Sequence, residues 1–174
     1  MDALEQGTNL LSSVELSNHD PVSIGDERPA AENCEKFVAF LLGTGIYCIP
    51  SRAVLEVVHP LPVAALPNAP SSISGIAAFK GEAVAVINIK KVLGLEESTA
   101  NGKAKFVILR ANIKDTQFVV PVDSMHELVS VSPDAVTSDP NDTSGMTLLV
   151  EHENRVLKML DPDFLFRKLE QTVE

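Results

Sequence analysis

The chain states one pattern twice, and that repetition limits what it can fold into. Phe37-Val38 opens a run that reaches Ile49-Pro50, Val54 and Glu56-Val57-Val58. Phe106-Val107 opens another that reaches Val120-Pro121, Met125 and Glu127-Leu128-Val129. Proline and glutamate are six residues apart in both runs (56 − 50 and 127 − 121). Ser74-Gly75-Ile76 is echoed by Ser144-Gly145-Met146, and Asn88 and Asp161 each follow an apolar run. The offsets are 69, 71, 71, 70 and 73 residues (106 − 37, 121 − 50, 127 − 56, 145 − 75 and 161 − 88). Such constancy indicates two copies of one supersecondary unit, each too small for a deep core alone. Two similar halves leave a groove between them, a common place for a binding site.

Charge narrows the function class. The chain of 174 residues carries a formal net charge of −10, and residues 1–36 hold −6 of it (eight acids, two bases). An acidic body without a basic cluster argues against nucleic acid or an anionic membrane as a partner. Residues 1–35 are polar, acidic and broken by Pro21 and Pro29, and they read as a disordered tail. A partner-binding segment that orders on contact is the alternative, with Leu4, Leu10, Leu11, Val14 and Leu16 as its apolar side. Cys48 sits in a strand pattern and reads as a small buried hydrophobe. The two cysteines and four separated histidines show no zinc spacing. No apolar run has the length of a membrane span and no signal pattern opens the chain, so a cytoplasmic location is expected.

From Phe37 onward, short β-type runs alternate with turn signals. Strands are expected at 36–42, 46–49, 54–58, 73–78 and 83–89. A tight turn at Gly43-Thr44-Gly45, a hairpin turn at Lys80-Gly81 and a helical turn at 89–93 go with them. Pro50 cannot donate to a ladder and should end its strand. The proline-rich stretch 61–70 reads as irregular, and the polar stretch 96–103 as the join between halves. The second half predicts strands at 104–111, 117–122, 125–131, 146–150 and 155–160. A long polar loop at 133–145 and a C-terminal helix at 161–171, capped by Asp161 ahead of Pro162, complete it.

Glu56 and Glu127 are acids inside otherwise apolar strand segments. By alternation Glu56 shares a face with Val54 and Val58. It either deters edge-to-edge aggregation or meets a partner. Phe79 beside Lys80-Gly81 is a contact point if exposed and a core residue if it turns inward. Asp123, at a strand end, reads as a bond to turn backbone. Gly75 and Gly145 read as bulge or bend positions. No nucleophile elbow, phosphate loop or zinc motif occurs, so a binding module is the better reading than an enzyme.

These residues resemble a known family. Phe37-Val38-Ala39-Phe40-Leu41-Leu42, Tyr47-Cys48-Ile49-Pro50 and Val54-Leu55-Glu56-Val57 resemble the opening of a CheW-like domain. Its central signature is matched by Leu66-Pro67-Asn68-Ala69-Pro70, Ile73-Ser74-Gly75-Ile76, Phe79-Lys80-Gly81 and Val84-Ala85-Val86-Ile87-Asn88-Ile89. Its second-half signature is matched by Val119-Val120-Pro121-Val122-Asp123-Ser124-Met125-His126-Glu127-Leu128. The family's usual Arg-Gly turn is Lys80-Gly81 here, and its Pro-Val-Ile-Asp is Ala85-Val86-Ile87-Asn88.

The resemblance implies an all-β fold of two SH3-like, five-stranded barrels with short helices and a C-terminal helix. The implied ranges are a tail at 1–35 and a domain at 36–171. Within the domain, subdomain one spans about 36–95, subdomain two about 104–160, and the helix 161–171. The resemblance also implies a non-enzymatic adaptor that uses no cofactor or metal. Its implied partners are a CheA-type histidine kinase and the cytoplasmic tip of a methyl-accepting chemoreceptor, with recruitment to receptor arrays and no membrane insertion. The partner surface it implies comprises Val54, Glu56, Val57, Phe79, Lys80 and Gly81. A CheW-like module of a type IV pilus or non-chemotaxis assembly is the alternative. A small all-β enzyme with a site between the halves is the rival of another class.

Overall fold

The computed structural model describes residues 33–97, 102–142 and 147–173. The tail expected at 1–35 lies outside the described residues up to residue 32. So do the Ser144-Gly145-Met146 echo and the middle of the expected join.

Among the described residues, twelve strands form two sheets. They are β1 (Glu35–Leu42), β2 (Gly45–Pro50), β3 (Val54–Val58), β4 (Val63–Ala64), β5 (Ile73–Phe79), β6 (Glu82–Ile87), β7 (Lys105–Ala111), β8 (Thr116–Val122), β9 (Ser124–Val131), β10 (Val136–Ser138), β11 (Thr147–His152) and β12 (Arg155–Leu160). Helix α1 (Ile89–Leu93) follows β6, and α2 (Pro162–Val173) follows β12. The all-β class with short helices and a C-terminal helix is as expected. Each sheet holds six strands rather than five. The extra members are the very short β4 and β10, which lie in the stretches expected to be irregular.

The sheet orders show how the repeat is used. One sheet runs β9-β1-β2-β12-β11-β10 and the other β3-β7-β8-β6-β5-β4. Each strand of the first has its counterpart in the second, six strands away in the chain. Pairing directions also correspond: β12 meets β2 in parallel, as β6 meets β8. The equivalent ladders pair Phe37 with Pro50 and Phe106 with Pro121. The repeat units therefore exchange strands. Each unit gives its first hairpin to one sheet and its remaining four strands to the other. The subdomain ranges 36–95 and 104–160 do not coincide with the sheets, because each sheet draws on both ranges.

The reason lies in the hairpins β1-β2 and β7-β8, which are apolar on both faces. Phe37, Ala39 and Cys48 enter a cluster inside the first sheet with Val129, Val150 and Leu157. Phe106, Ile108 and Val119 enter a cluster inside the second with Val84 and Val86. Phe40, Leu42, Tyr47 and Ile49 meet Val107, Leu109, Phe118 and Val120 in a shared core, which Ile89, Leu160, Leu165 and Leu169 complete. Strands that bury both faces belong at the middle of a sheet. Burying such apolar area is the main favourable term in folding, about 25 cal/mol per Å².

Short devices hold the crossings. After Pro50 a single 3-10 turn, Ser51–Ala53, carries the chain across. After Val122 a lone residue, Asp123, does so. Its carboxylate accepts from Gly43 N at 2.7 Å and pairs with Lys90 Nζ at 2.7 Å. Its backbone N–H donates to Leu41 O at 3.0 Å. This is the turn-binding role expected of it. Asn88 caps α1, accepting from Lys91 N at 3.2 Å, and Asp161 caps α2, accepting from Asp163 N at 2.9 Å. Asparagine and aspartate cap equally well, so the asparagine at 88 keeps that function.

Candidate functional site

Strand β3 is the outer strand of its sheet. A bulge separates Val54 and Glu56 in its ladder with β7. Val54, Glu56 and Val58 are half-buried, whereas Leu55 and Val57 are exposed at 39% and 38%. That is the face-sharing expected of Glu56. Val54 also packs against the shared core.

The β5–β6 hairpin brings the remaining expected residues to this strand. Phe79 pairs with Glu82, so Lys80-Gly81 is a two-residue turn. Both residues have positive φ, +49° and +82°, the backbone sign that type I′ hairpin turns require. A Cβ on Gly81 would meet nothing within 4 Å, so glycine serves the backbone there rather than a close approach. Lys80 Nζ lies 2.7 Å from Glu56 Oε2 and 5.1 Å from the centre of the Phe79 ring. Phe79 is half-buried and packs against the inner cluster near Val58 and Leu61, the inward alternative.

The Lys80–Glu56 pair thus spans from the edge strand to a hairpin at the other end of the strand order. It clasps the seam where the sheet curls towards closure. Lys80 is 72% exposed and Glu56 41%, so the clasp contributes only about 0–1 kcal/mol to stability. Exposed Val63 and Leu66 follow close after β3 in the chain. Four of the six large exposed hydrophobics among the described residues fall between Leu55 and Leu66. An ion pair with apolar side chains around it suits a protein partner better than a reaction centre.

The other sheet carries an equivalent seam. Glu127 on edge strand β9 lies 3.6 Å from Arg155 Nη1 at the start of β12. His126 Nε2 sits 3.2 Å from Glu127 Oε1 and 3.1 Å from Arg155 Nη1. Leu128 and Val156 on the same two strands are exposed at 62% and 55%. Sequence reasoning paired Glu127 with Glu56 but missed Arg155. The offset of 73 takes Lys80 to Glu153, so in the second seam the cation has moved two residues on. Leu55, Val63 and Leu66 were missed as well. Alternation across β3 could have found Leu55.

A groove of about 660 Å³ lies between α2 and the second sheet. Phe118, Ile87, Phe166 and Leu169 line it, and a Lys114–Glu170 ion pair stands at its rim. Burial raises the pKa of Tyr47 and pushes the Cys48 thiol up to about 12. Neither residue faces that groove.

Two exchanged-strand SH3-like sheets, each with a clasped seam bordered by exposed aliphatic residues, define an all-β protein with paired surface sites. The CheW-like domain model matches residues 36–170. A chemotaxis protein CheW of Treponema pallidum (strain Nichols) is 31% identical over 134 residues, covering 74% of this chain and 78% of that protein. A chemotaxis protein CheW of Helicobacter pylori is 24% identical over 152 residues, covering 82% and 91%. The crystal structure of the scaffolding protein TtCheW from Thermoanaerobacter tengcongensis superposes with a TM-score of 0.70 at 22% identity, covering 76% and 92%. The chain belongs to the CheW-like domain family.

Proposed function

We propose that this protein is a non-enzymatic scaffold of bacterial chemosensory signalling, coupling chemoreceptors to a CheA-type histidine kinase. The observation that carries this is the clasp of Glu56 by Lys80 on an edge strand flanked by exposed Leu55 and Val57. Membership of the family, and relatives that are named chemotaxis proteins, support the same reading.

The partner surface comprises Val57, Glu56, Lys80 and Gly81, with Val54 and Phe79 shaping it from beneath. An edge strand offers unpaired backbone groups, and its aliphatic side chains supply area to bury. In water the ion pair is worth little, but a partner that excludes water strengthens it and makes its geometry selective. The chain acts by linking surfaces: receptor state alters contacts that pass through it to the kinase, and the coupling is reciprocal. Among the described residues no helix is long and apolar enough to cross a membrane. The protein works in the cytoplasm and reaches receptor arrays through its partners.

Affinity capture from the native cell extract with the full chain as bait tests this. A CheA-type kinase or a methyl-accepting receptor is recovered, and Lys80→Glu abolishes recovery. Recovery of neither, or equal recovery by the variant, overturns the reading.

A further inference from the structure

The two seams are alike in position and unlike in chemistry. In one, lysine meets glutamate directly at 2.7 Å. In the other, an imidazole stands between arginine and glutamate. The offset of 71 residues places His126 at the position of Leu55 (126 − 55), so this element belongs to one seam alone. Both polar contacts of His126 run through one atom. Nε2 is 3.1 Å from Arg155 Nη1 and 3.2 Å from Glu127 Oε1. Arginine can only donate, and a carboxylate can only accept. Nε2 cannot serve both at once: it accepts from Arg155 when it bears a lone pair and donates to Glu127 when it bears a proton.

We propose that the β9–β12 seam is a proton-operated clasp in which His126 selects between Arg155 and Glu127. With neutral imidazole, protonated at Nδ1, Arg155 donates to Nε2 and stays beside Glu127, closing the seam. On protonation Nε2 donates to Glu127, and the imidazolium repels the guanidinium that stood against it. Arg155 leaves, and the seam bordered by Leu128 and Val156 loosens. Imidazole is the side chain whose charge ordinarily changes between about pH 5 and 8, which sets the range for the test.

Other charged groups stand around the seam. Strand β11, which packs against β9, carries Glu151 and His152, and Glu153 follows in the turn. His152 stands opposite Arg155 in the β11–β12 ladder, with its Nε2 4.0 Å from Glu153 Oε1. Strand β1 brings Glu35 and Lys36 opposite Val131 and Ser130, at the far end of β9. Lys158 on β12 stands over Tyr47. Asp123, just before β9, pairs with Lys90.

The test is an NMR titration of the ¹⁵N-labelled full chain from about pH 8 to 5. The imidazole nitrogens of His126 and the Nε–H of Arg155 are followed together. The two sets of signals shift with one common midpoint. His126→Gln abolishes the Arg155 shift, while His152→Gln leaves it in place. The backbone fingerprint of each variant at high pH verifies the fold. An Arg155 signal that stays fixed while His126 titrates overturns the proposal. So does one that still shifts in His126→Gln or disappears with His152→Gln.

Discussion

Lys90 and Asp123 meet at 2.7 Å where the chain crosses from the second sheet to the first. Their side chains are only 12% and 23% exposed, and Asp123 also holds the Gly43 amide of the β1–β2 turn. One carboxylate therefore ties a helix, a hairpin and a crossing together. Asp123→Ala leaves a poorly solvated ammonium and a turn amide without this acceptor, at a cost of about 2–3 kcal/mol. Urea unfolding of the full chain, with an unchanged m-value, measures it. A loss below about 0.5 kcal/mol would contradict the account.

The Glu56–Lys80 clasp should behave in the opposite way. Glu56→Lys changes stability by no more than about 1 kcal/mol, because both groups are substantially exposed. It weakens kinase or receptor binding nonetheless. The double exchange Glu56→Lys with Lys80→Glu restores the pair with reversed polarity and leaves binding weak. Binding that recovers in the double variant would mean the pair matters only for holding the seam.

Gly75 is required for space and for conformation. Its φ is +153°, and a Cβ there would lie 2.2 Å from Ala64 O and 2.8 Å from Val63 Cγ1. Gly75→Ala must displace β4 at the bulge in the β5–β6 ladder. A loss of about 2 kcal/mol or more is expected. Amide exchange at Val63 and Ala64 rises before the rest of the sheet loosens. Full retention of protection there would refute the prediction.

Cys48 makes stability depend on alkaline pH. Burial raises its thiol from 9.0 to about 12, so the folded chain keeps a proton that the unfolded chain releases. Below pH 9 both states hold the proton and the contribution is complete. Between there and about 12 stability falls, by about 1.4 kcal/mol per pH unit from this group. Cys48→Ala lowers stability at neutral pH through the cavity it leaves, but its alkaline decline is shallower by that slope. A parallel decline in both proteins would exclude the thiol as the cause.

Much of this molecule was legible in the chain. The strands at Phe37, Ile46, Val54, Ile73 and Phe106 follow from apolar patterning and turn chemistry. Lys80-Gly81 announced a two-residue turn, and Asp161-Pro162 announced a capped helix. Strands β4 and β10 were not legible. Two or three residues have no periodicity, and Val63-Ala64 pairs with β5 only because Gly75 lets the backbone approach. The Glu56–Lys80 pairing was also hidden. Twenty-four residues separate the two (80 − 56), and only curling of the sheet brings them together. Arg155 was harder still, because the cation of the second seam does not sit where the repeat places it.

By itself the sequence determined that there are two copies of one unit. That the first hairpin of each is buried on both faces, and therefore central, emerged only from the packing. The tertiary structure alone decided which outer strands join which hairpin. Local patterning cannot make that choice, since β1-β2 and β7-β8 present equivalent edges and either could accept β3 or β9. The exchange arises because the hairpins pack back to back through Phe40, Leu42, Val107 and Leu109. With only Ser51–Ala53 or Asp123 to span the gap, each chain segment leaves its own hairpin for the neighbouring sheet.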